Sequence, residues 1–169
     1  APGQESRLPI SLVDLMPTVL GMVGAAVPDG VQGVDLAWHA LGGSGTPPES
    51  TYINYVVTSS AQRHQPWRGV VTERHTYAET REGAWVMYDD IADPYQMNNL
   101  VDDSAAADLR QHLHRLVADW LDKTDDDFAD SLTVAERYMK GRHVDCAMPV
   151  PPMEPIIAAG QQAKSQREY

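Results

Sequence analysis

The run Trp67-Arg68-Gly69-Val70-Val71-Thr72-Glu73-Arg74-His75-Thr76-Tyr77 is followed by Ala84-Trp85-Val86-Met87-Tyr88-Asp89 and then by Asp93-Pro94-Tyr95-Gln96-Met97-Asn98-Asn99-Leu100. Val70–Glu73 and His75–Glu79 are rich in β-branched and aromatic residues, which predicts strand; one long kinked strand and two separate strands both fit. Arg81-Glu82-Gly83 reads as a hairpin turn in which glycine supplies a positive φ, and Trp85–Tyr88 returns antiparallel. Upstream, Tyr52-Ile53-Asn54-Tyr55-Val56-Val57 is another β-rich run, separated from the first by a loop at Ser59–Pro66. The expected product is a small antiparallel sheet of three to four strands, closed by a tight Asp-Pro turn that leads to a helix.

That helix carries the clearest periodicity in the chain. Leu109, Leu113, Leu116 and Trp120 recur at spacings of four, three and four, and Val117 and Leu121 widen the stripe. Asp102, Asp103 and Ser104 sit where free N–H groups and the helix dipole favour them. Neither the helix nor the sheet can bury its apolar side alone, so the helix is expected to lie across one sheet face. Near the start, Ser11 and Asp14 resemble a capping box, but a helix begun there leaves Pro17 in its interior at a cost of about 3 kcal/mol. Asp14 as N-cap places Pro17 third in the helix, where no intrahelical bond is lost; Leu15, Val19 and Met22 then share one apolar face and Gly24 ends the helix.

These readings predict an α+β chain. Residues 1–127 form one region: a helix over 14–24, an irregular Gly- and Pro-rich connection over 25–50 with one helical turn near Leu36–Leu41, a sheet over 51–90 and a helix over 104–123. Residues 128–169 form an irregular C-terminal extension, with a short helix from Thr133 to Lys140 before Pro149, Pro151, Pro152 and Pro155 force an extended path.

The 169 residues suffice for one domain with a modest core. A net charge of −11 with no basic patch argues against a nucleic-acid partner. The acidic runs Asp102-Asp103 and Asp125-Asp126-Asp127 read as solvated turns and helix ends. The single cysteine, Cys146, excludes an intrachain disulfide and a cysteine-based zinc site. No apolar run approaches the roughly 20 residues that span a bilayer, so a soluble chain of open compartment is expected, without membrane partner. The sequence as given starts at Ala1 with no initiator methionine and no charged-then-apolar leader, so no signal peptide is expected within it, and the first ten residues are expected to continue from an upstream part.

The opening run also resembles the C-terminal segment of the sulfatase family, in which a strand of the form R-x-V-R-T-x-R-Y-K-Y is followed by W-E-L-Y-D-L and D-P-x-E-x-x-N-L. Val13-Asp14-Leu15-Met16-Pro17-Thr18-Val19-Leu20, with Gly24 and Pro28, is similar to the family's V-D-L-x-P-T-x-L…A-G…P, and Gly33-Val34-Asp35-Leu36 to its G-x-S-L. The matches run in order over residues 10–123; Gln96 stands where the family usually has Glu, and Asp35 where it often has Ser. The resemblance implies a sulfuric ester hydrolase of the alkaline-phosphatase superfamily. Such an enzyme uses a formylglycine nucleophile made from Cys or Ser in C/S-x-P-x-R, and a divalent metal, usually calcium, on Asp and Asn ligands. By the same resemblance those residues belong to a large N-terminal catalytic part, the expected partner, and none of their motifs occurs here. Cys146-Ala147-Met148-Pro149-Val150 has its proline one place late and no arginine. The chain is expected to be a C-terminal fragment, inactive alone, serving a sulfate-ester or sulfated-sugar substrate. A phosphodiesterase or phosphonate monoester hydrolase of the same superfamily, and a free-standing interaction module, are the alternatives.

Within the chain, His64 and His75 are the candidates for the rim of a substrate cleft, lying on a loop and a strand beside the hairpin; the ordinary alternative is a surface or hydrogen-bonded histidine. His112 and His114, two apart on the long helix, point to different faces and cannot share a metal; solvent-facing rings are expected. No G-x-S-x-G elbow supports a serine hydrolase. Trp67, Trp85 and Tyr88 are assigned to core packing against the Leu109 helix in preference to a sugar-stacking platform, while Tyr52 and Tyr55 fall on opposite strand faces.

Overall fold

The computed structural model describes residues 5–56, 65–130, 133, 134 and 137. Four strands, β1 (Thr51–Tyr55), β2 (Trp67–Val71), β3 (His75–Thr80) and β4 (Gly83–Asp89), form one antiparallel sheet in the order β1-β2-β3-β4. The run from Val70 to Glu79 is therefore two strands. Thr72 makes the break: its N–H donates to His75 O at 2.8 Å, and its Oγ1 accepts the N–H groups of Arg74 and His75. That turn sets Val71 opposite Thr76 and Trp67 opposite Thr80. Gly83, at φ +130°, closes the next hairpin as its sequence suggests.

A helical turn at Ser104–Ala106 feeds α3 (Ala107–Thr124), and Asp103 caps the start by accepting the Ala105 N–H at 2.8 Å. The stripe of α3 does what its spacing requires. Leu113, Leu116 and Val117 are buried against Val70, Tyr77 and Met87, one from each of β2, β3 and β4, with Leu109, Trp120 and Leu121 around the edge. Each fully buried side chain of this size stabilises the fold by about 1.5–3 kcal/mol.

The D-P-x-x-x-x-N-L segment has a structural role. The Asn99 side chain accepts the Met87 N–H at 2.9 Å and donates to Trp85 O at 3.1 Å, while Leu100 N–H donates to Met87 O. It thereby satisfies backbone groups on the outer edge of β4 that would otherwise stand open.

The tryptophans depart from expectation. A register shift at Ala78/Glu79 inserts a bulge opposite Trp85 and breaks the alternation of β4. The Trp85 ring then lies 6.2 Å from that of Trp67, which in turn stacks with Tyr55 at 6.2 Å. Trp67 is three residues from the core residue Val70, so this aromatic row occupies the face away from α3, and Trp85 is 48% exposed. Tyr52, on the other face, stacks on Trp120 of α3 at 5.9 Å.

Towards the N-terminus both competing helix starts are used. Ser11 opens a 3-10 turn over Leu12–Asp14, and the α-helix α1 follows over Leu15–Met22 with Pro17 third. The Asp14 carboxylate does not cap α1; it accepts the Ser11 N–H behind it and the Val34 N–H across the chain, both at 2.8 Å. Gly24, at φ +71°, ends the helix, with Gly24 N–H on Gly21 O and Ala25 N–H on Leu20 O, the paired bonds of a Schellman motif.

The apolar face shared by Leu15, Val19 and Met22 points outward. Asp14, Pro17 and Thr18 are buried, whereas Leu15, Met16, Val19 and Met22 are about half exposed. The inward face is polar because it binds backbone: Thr18 Oγ1 accepts the Leu36 N–H at 3.0 Å and Asp14 accepts that of Val34. Gly33 passes so close that a Cβ there would run into the Val13 carbonyl, and Asp35 occupies the space beside Gly21. Asp35 Oδ1 also accepts the Ala37 N–H at the start of the short helix α2 (Ala37–Ala40), the turn expected near Leu36–Leu41.

The chain divides into two units, residues 1–56 with 66–129, and residues 57–65 with 130–169. In the second, Asp130 caps a helical turn, its carboxylate accepting the Thr133 N–H at 2.8 Å and its carbonyl the Val134 N–H at 2.9 Å. The helix expected over 133–140, apart from Thr133, Val134 and Arg137, and the tail beyond it lie outside the described residues. No helix among the described residues is long and apolar enough to cross a membrane.

Candidate functional site

His75 opens β3 immediately after the Thr72 turn, and the turn holds it in place from both sides through its N–H and carbonyl. It faces a cleft of about 420 Å³ whose walls include Pro47, Pro48 and Glu49 from the connection before β1, Arg74 from the turn and His112 from α3. The other rim candidate, His64, lies outside the described residues.

The cleft is electrostatically ordered. Arg74 forks onto Asp89 at the end of β4, with Nη2–Oδ2 at 2.7 Å and Nε to both oxygens at 3.0 and 3.1 Å. Asp89 Oδ1 also accepts the N–H groups of Ile91 and Ala92, each at 3.1 Å. The Arg74 guanidinium, and after it the Ala92 N–H, hold the Asp89 carboxyl well below the usual carboxylate range. Partial burial pushes the His75 imidazole below its ordinary value; Asp89 opposes this, and the Arg74 charge adds to it. His75 is thus a neutral imidazole at neutral pH, able to donate from one nitrogen and accept at the other. Across the cleft, His112 Nε2 lies 3.2 Å from Glu49 Oε1. What converges here is a set of hydrogen-bonding groups around an open cleft, suited to holding a polar ligand.

His112 and His114 do diverge, but neither is simply solvated. His112 borders the His75 cleft, while His114 Nδ1 lies 2.6 Å from Glu79 Oε2 on the other side of α3. Sequence reasoning missed His112 and Glu49 as companions of His75, since the pairing joins α3 to a proline-rich connection 63 residues earlier and no local pattern announces it.

A second charged constellation is structural. Arg68 is 1% exposed and forks onto Asp126, with Nε–Oδ2 at 2.7 Å and Nη2–Oδ1 at 2.9 Å; its Nη2 also reaches Ala129 O at 3.1 Å. The Tyr52 hydroxyl and the Phe128 N–H donate to the same carboxylate. Burial works against the Asp126 charge, yet Arg68, Tyr52 and Phe128 together hold its carboxyl below the ordinary value. Asp126 is therefore no solvated member of an acidic run: it ties the exit of α3 to β2. Phe128 follows at φ +62°, its ring 4.6 Å from the Arg68 guanidinium.

A calcium site would need several converging oxygen ligands, and among the described residues no three His, Cys, Asp or Glu side chains come together in that way. The described residues do not fit that group.

Residues 1–123 match the family described as N-sulphoglucosamine sulphohydrolase, C-terminal. The chain is 32% identical over 139 residues to an ulvan-active sulfatase of Formosa agariphila, the match covering 80% of this chain and 27% of that protein. It thus spans about a quarter of the length of that curated relative. Among solved structures, a 2-O GAG sulfatase shares its fold, with a TM-score of 0.65 at 22% identity over 74% of this chain and 28% of the other. The protein BT4656, solved in complex with its substrate D-glucosamine-2-N,6-O-disulfate, matches with a TM-score of 0.57 at 25% identity, over 68% and 24% of the two chains.

Proposed function

The chain belongs to the sulfatase family as its C-terminal region, and on that premise we propose that it serves a sulfuric ester hydrolase as the accessory subdomain beside a catalytic part carried on the same polypeptide. The observation that carries this reading is the match over residues 1–123, in a chain spanning about a quarter of a relative that is itself a sulfatase. The apolar face of α1 supports it. Leu12, Leu15, Met16, Val19, Met22 and Val23 form an uncharged surface on a chain of net charge −11, and burying it against a neighbouring part would recover about 25 cal/mol per Å² covered. The formylglycine nucleophile and the calcium that the family resemblance implies would then reside in that neighbouring part.

The substrate class we assign is a sulfated sugar. Support comes from the relatives, one described as active on ulvan and one solved with a glucosamine disulfate. The His75–His112 cleft offers neutral and charged donors to hydroxyl or sulfate oxygens at the edge of such a substrate. The test begins with the coding DNA upstream of Ala1. An open frame of several hundred codons containing C-x-P-x-R or S-x-P-x-R, whose full product releases sulfate from glucosamine 6-sulfate, bears the proposal out. A start codon directly upstream of Ala1 overturns it.

A further inference from the structure

Val70, Tyr77 and Met87 turn one face of the sheet towards α3, and Arg68 and Glu79, each two residues along, put their charges on that same face. The residues between them point the other way. Ile53, Gly69, Ala78 and Val86 stand side by side across the four strands. Val71, Thr76 and Tyr88 flank them on one side, and Tyr55, Trp67 and Trp85 on the other. No strand residue on this outer face is charged, in a chain of net charge −11. A carboxylate reaches it at one corner, where Asp90 accepts from the Thr76 hydroxyl at 2.7 Å. An antiparallel sheet face in water is ordinarily polar; here the charges lie beneath the helix instead.

The face is also shaped. Gly69 and Ala78 form its floor, and a Cβ on Gly69 would collide with the Tyr77 carbonyl, so the floor stays bare. Trp67 and Val71 rise on either side, four residues apart on β2, which at about 3.3 Å per residue is about 13 Å. An α-helix with its side chains is about 10–12 Å across. Trp85 is 48% exposed at the rim, and tryptophan and tyrosine are the side chains that anchor interface cores. Among the described residues α3 packs on the sheet and no second helix does.

We propose that this outer face seats an apolar helix of the catalytic part, which makes the sheet the middle layer between that helix and α3. This rests on the reading of the chain as one region of a longer sulfatase, and it names a contact that the α1 face does not supply. The match covers 27% of the ulvan-active sulfatase, so about three quarters of such a polypeptide lies beyond this chain to provide the third layer. An uncharged face selects an uncharged helix side, since a carboxylate or ammonium set there would lose its hydration without gaining an ion partner. A second copy fits less well: two such faces would meet hollow to hollow and leave the Gly69–Ala78 floor unfilled.

The experiment is hydroxyl-radical footprinting, read by mass spectrometry at Trp67 and Trp85, on the 169-residue chain and on the full-length polypeptide encoded by the upstream frame. In the chain alone the half-exposed Trp85 should oxidise readily. In the full-length polypeptide both indoles should oxidise at least about tenfold more slowly than in the chain, because a packed interface excludes water. Trp85→Lys should leave the thermal midpoint of the chain unchanged and return Trp67 oxidation in the full-length polypeptide to the rate seen in the chain. Equal oxidation of the two forms overturns the proposal. So does protection already present in the monomeric chain, or protection that grows with concentration alongside a doubled mass, which would assign the face to a second copy. Sulfate release by the same full-length polypeptide is scored separately. Release with unprotected tryptophans leaves the family reading in place and removes this one, whereas a start codon directly upstream of Ala1 removes both. The unsubstituted comparison stands even where the variant fails to fold.

Discussion

Substituting Asp126→Ala removes the partner of Arg68, the most deeply buried charge among the described residues. The variant strands the Arg68 guanidinium, which is 1% exposed, and deprives the Tyr52 hydroxyl and the Phe128 N–H of their acceptor. Breaking a buried pair from one side costs about 3–5 kcal/mol. The carbonyls of Ala129, Tyr55 and Trp67 still accept from Arg68, which places the expected loss near the lower end, about 3 kcal/mol. That is a fifth to more than half of the roughly 5–15 kcal/mol by which a domain is stable. Urea unfolding followed by circular dichroism measures it. The paired change Arg68→Met with Asp126→Ala removes the stranded charge and should recover at least half of the loss, because an apolar replacement of a buried ion pair is close to neutral. A loss below about 1 kcal/mol for Asp126→Ala, or no recovery in the double variant, would refute the reasoning that Arg68 is a desolvated charge dependent on Asp126.

Leu113→Ala, at the centre of the sheet–helix core, should cost about 2–5 kcal/mol in the same assay. Gly33→Ala should lower the thermal midpoint measurably, since its Cβ meets the Val13 carbonyl and backbone must move. Leu15→Asp with Val19→Asp should reduce dye binding and self-association of the isolated chain without lowering its thermal midpoint; if association persists, the α1 face is not its seat. Acid should destabilise the fold. The Asp89 and Asp126 carboxyls are depressed in the folded state, so their stabilising contribution is present above the ordinary carboxylate value near 4 and is lost as pH falls through their folded values. His75 adds to this with the same sign: its folded value lies below the ordinary one, so stability falls as pH drops through about 6.5 towards the folded value. An unfolding free energy that is flat from pH 7 to pH 3 would contradict both. In the full-length enzyme proposed above, His75→Ala should raise KM for a sulfated sugar, and an unchanged kcat/KM removes His75 from the rim.

The elements that sequence reveals well are those whose pattern is local. The α3 stripe from Leu109 to Trp120 reports its buried face directly, because a surface helix has one partner layer and its periodicity must match. Strand identity is equally legible from β-branched and aromatic content, and Gly24 and Gly83 mark their turns through the positive φ that they supply. The failures share a different cause. Counting alternation places Trp85 in the core, and one inserted residue at Ala78/Glu79 reverses the count. The apolar stripe of α1 is legible but its direction is not: the inner side is occupied by backbone N–H groups of Val34 and Leu36, which require oxygen rather than methyl groups. Asp126 and His112 look solvated in the sequence because their partners, Arg68 and Glu49, lie 58 and 63 positions away. Of the two rim candidates, His75 is placed beside a cleft, and the companions that shape it come from segments with no sequence signal of their own.

The uninterrupted strand order β1-β2-β3-β4 has a kinetic consequence. Each ladder closes only the short stretch between neighbouring strands, so the sheet has low contact order and little loop entropy must be lost before pairing rewards it. The bridge from Arg68 to Asp126 closes 58 residues and can form only after α3 has settled on the sheet. It therefore belongs after the rate-limiting step, and removing it should speed unfolding while leaving the folding rate nearly unchanged. The lifetime of the folded subdomain, more than the rate at which it forms, is what that single carboxylate sets.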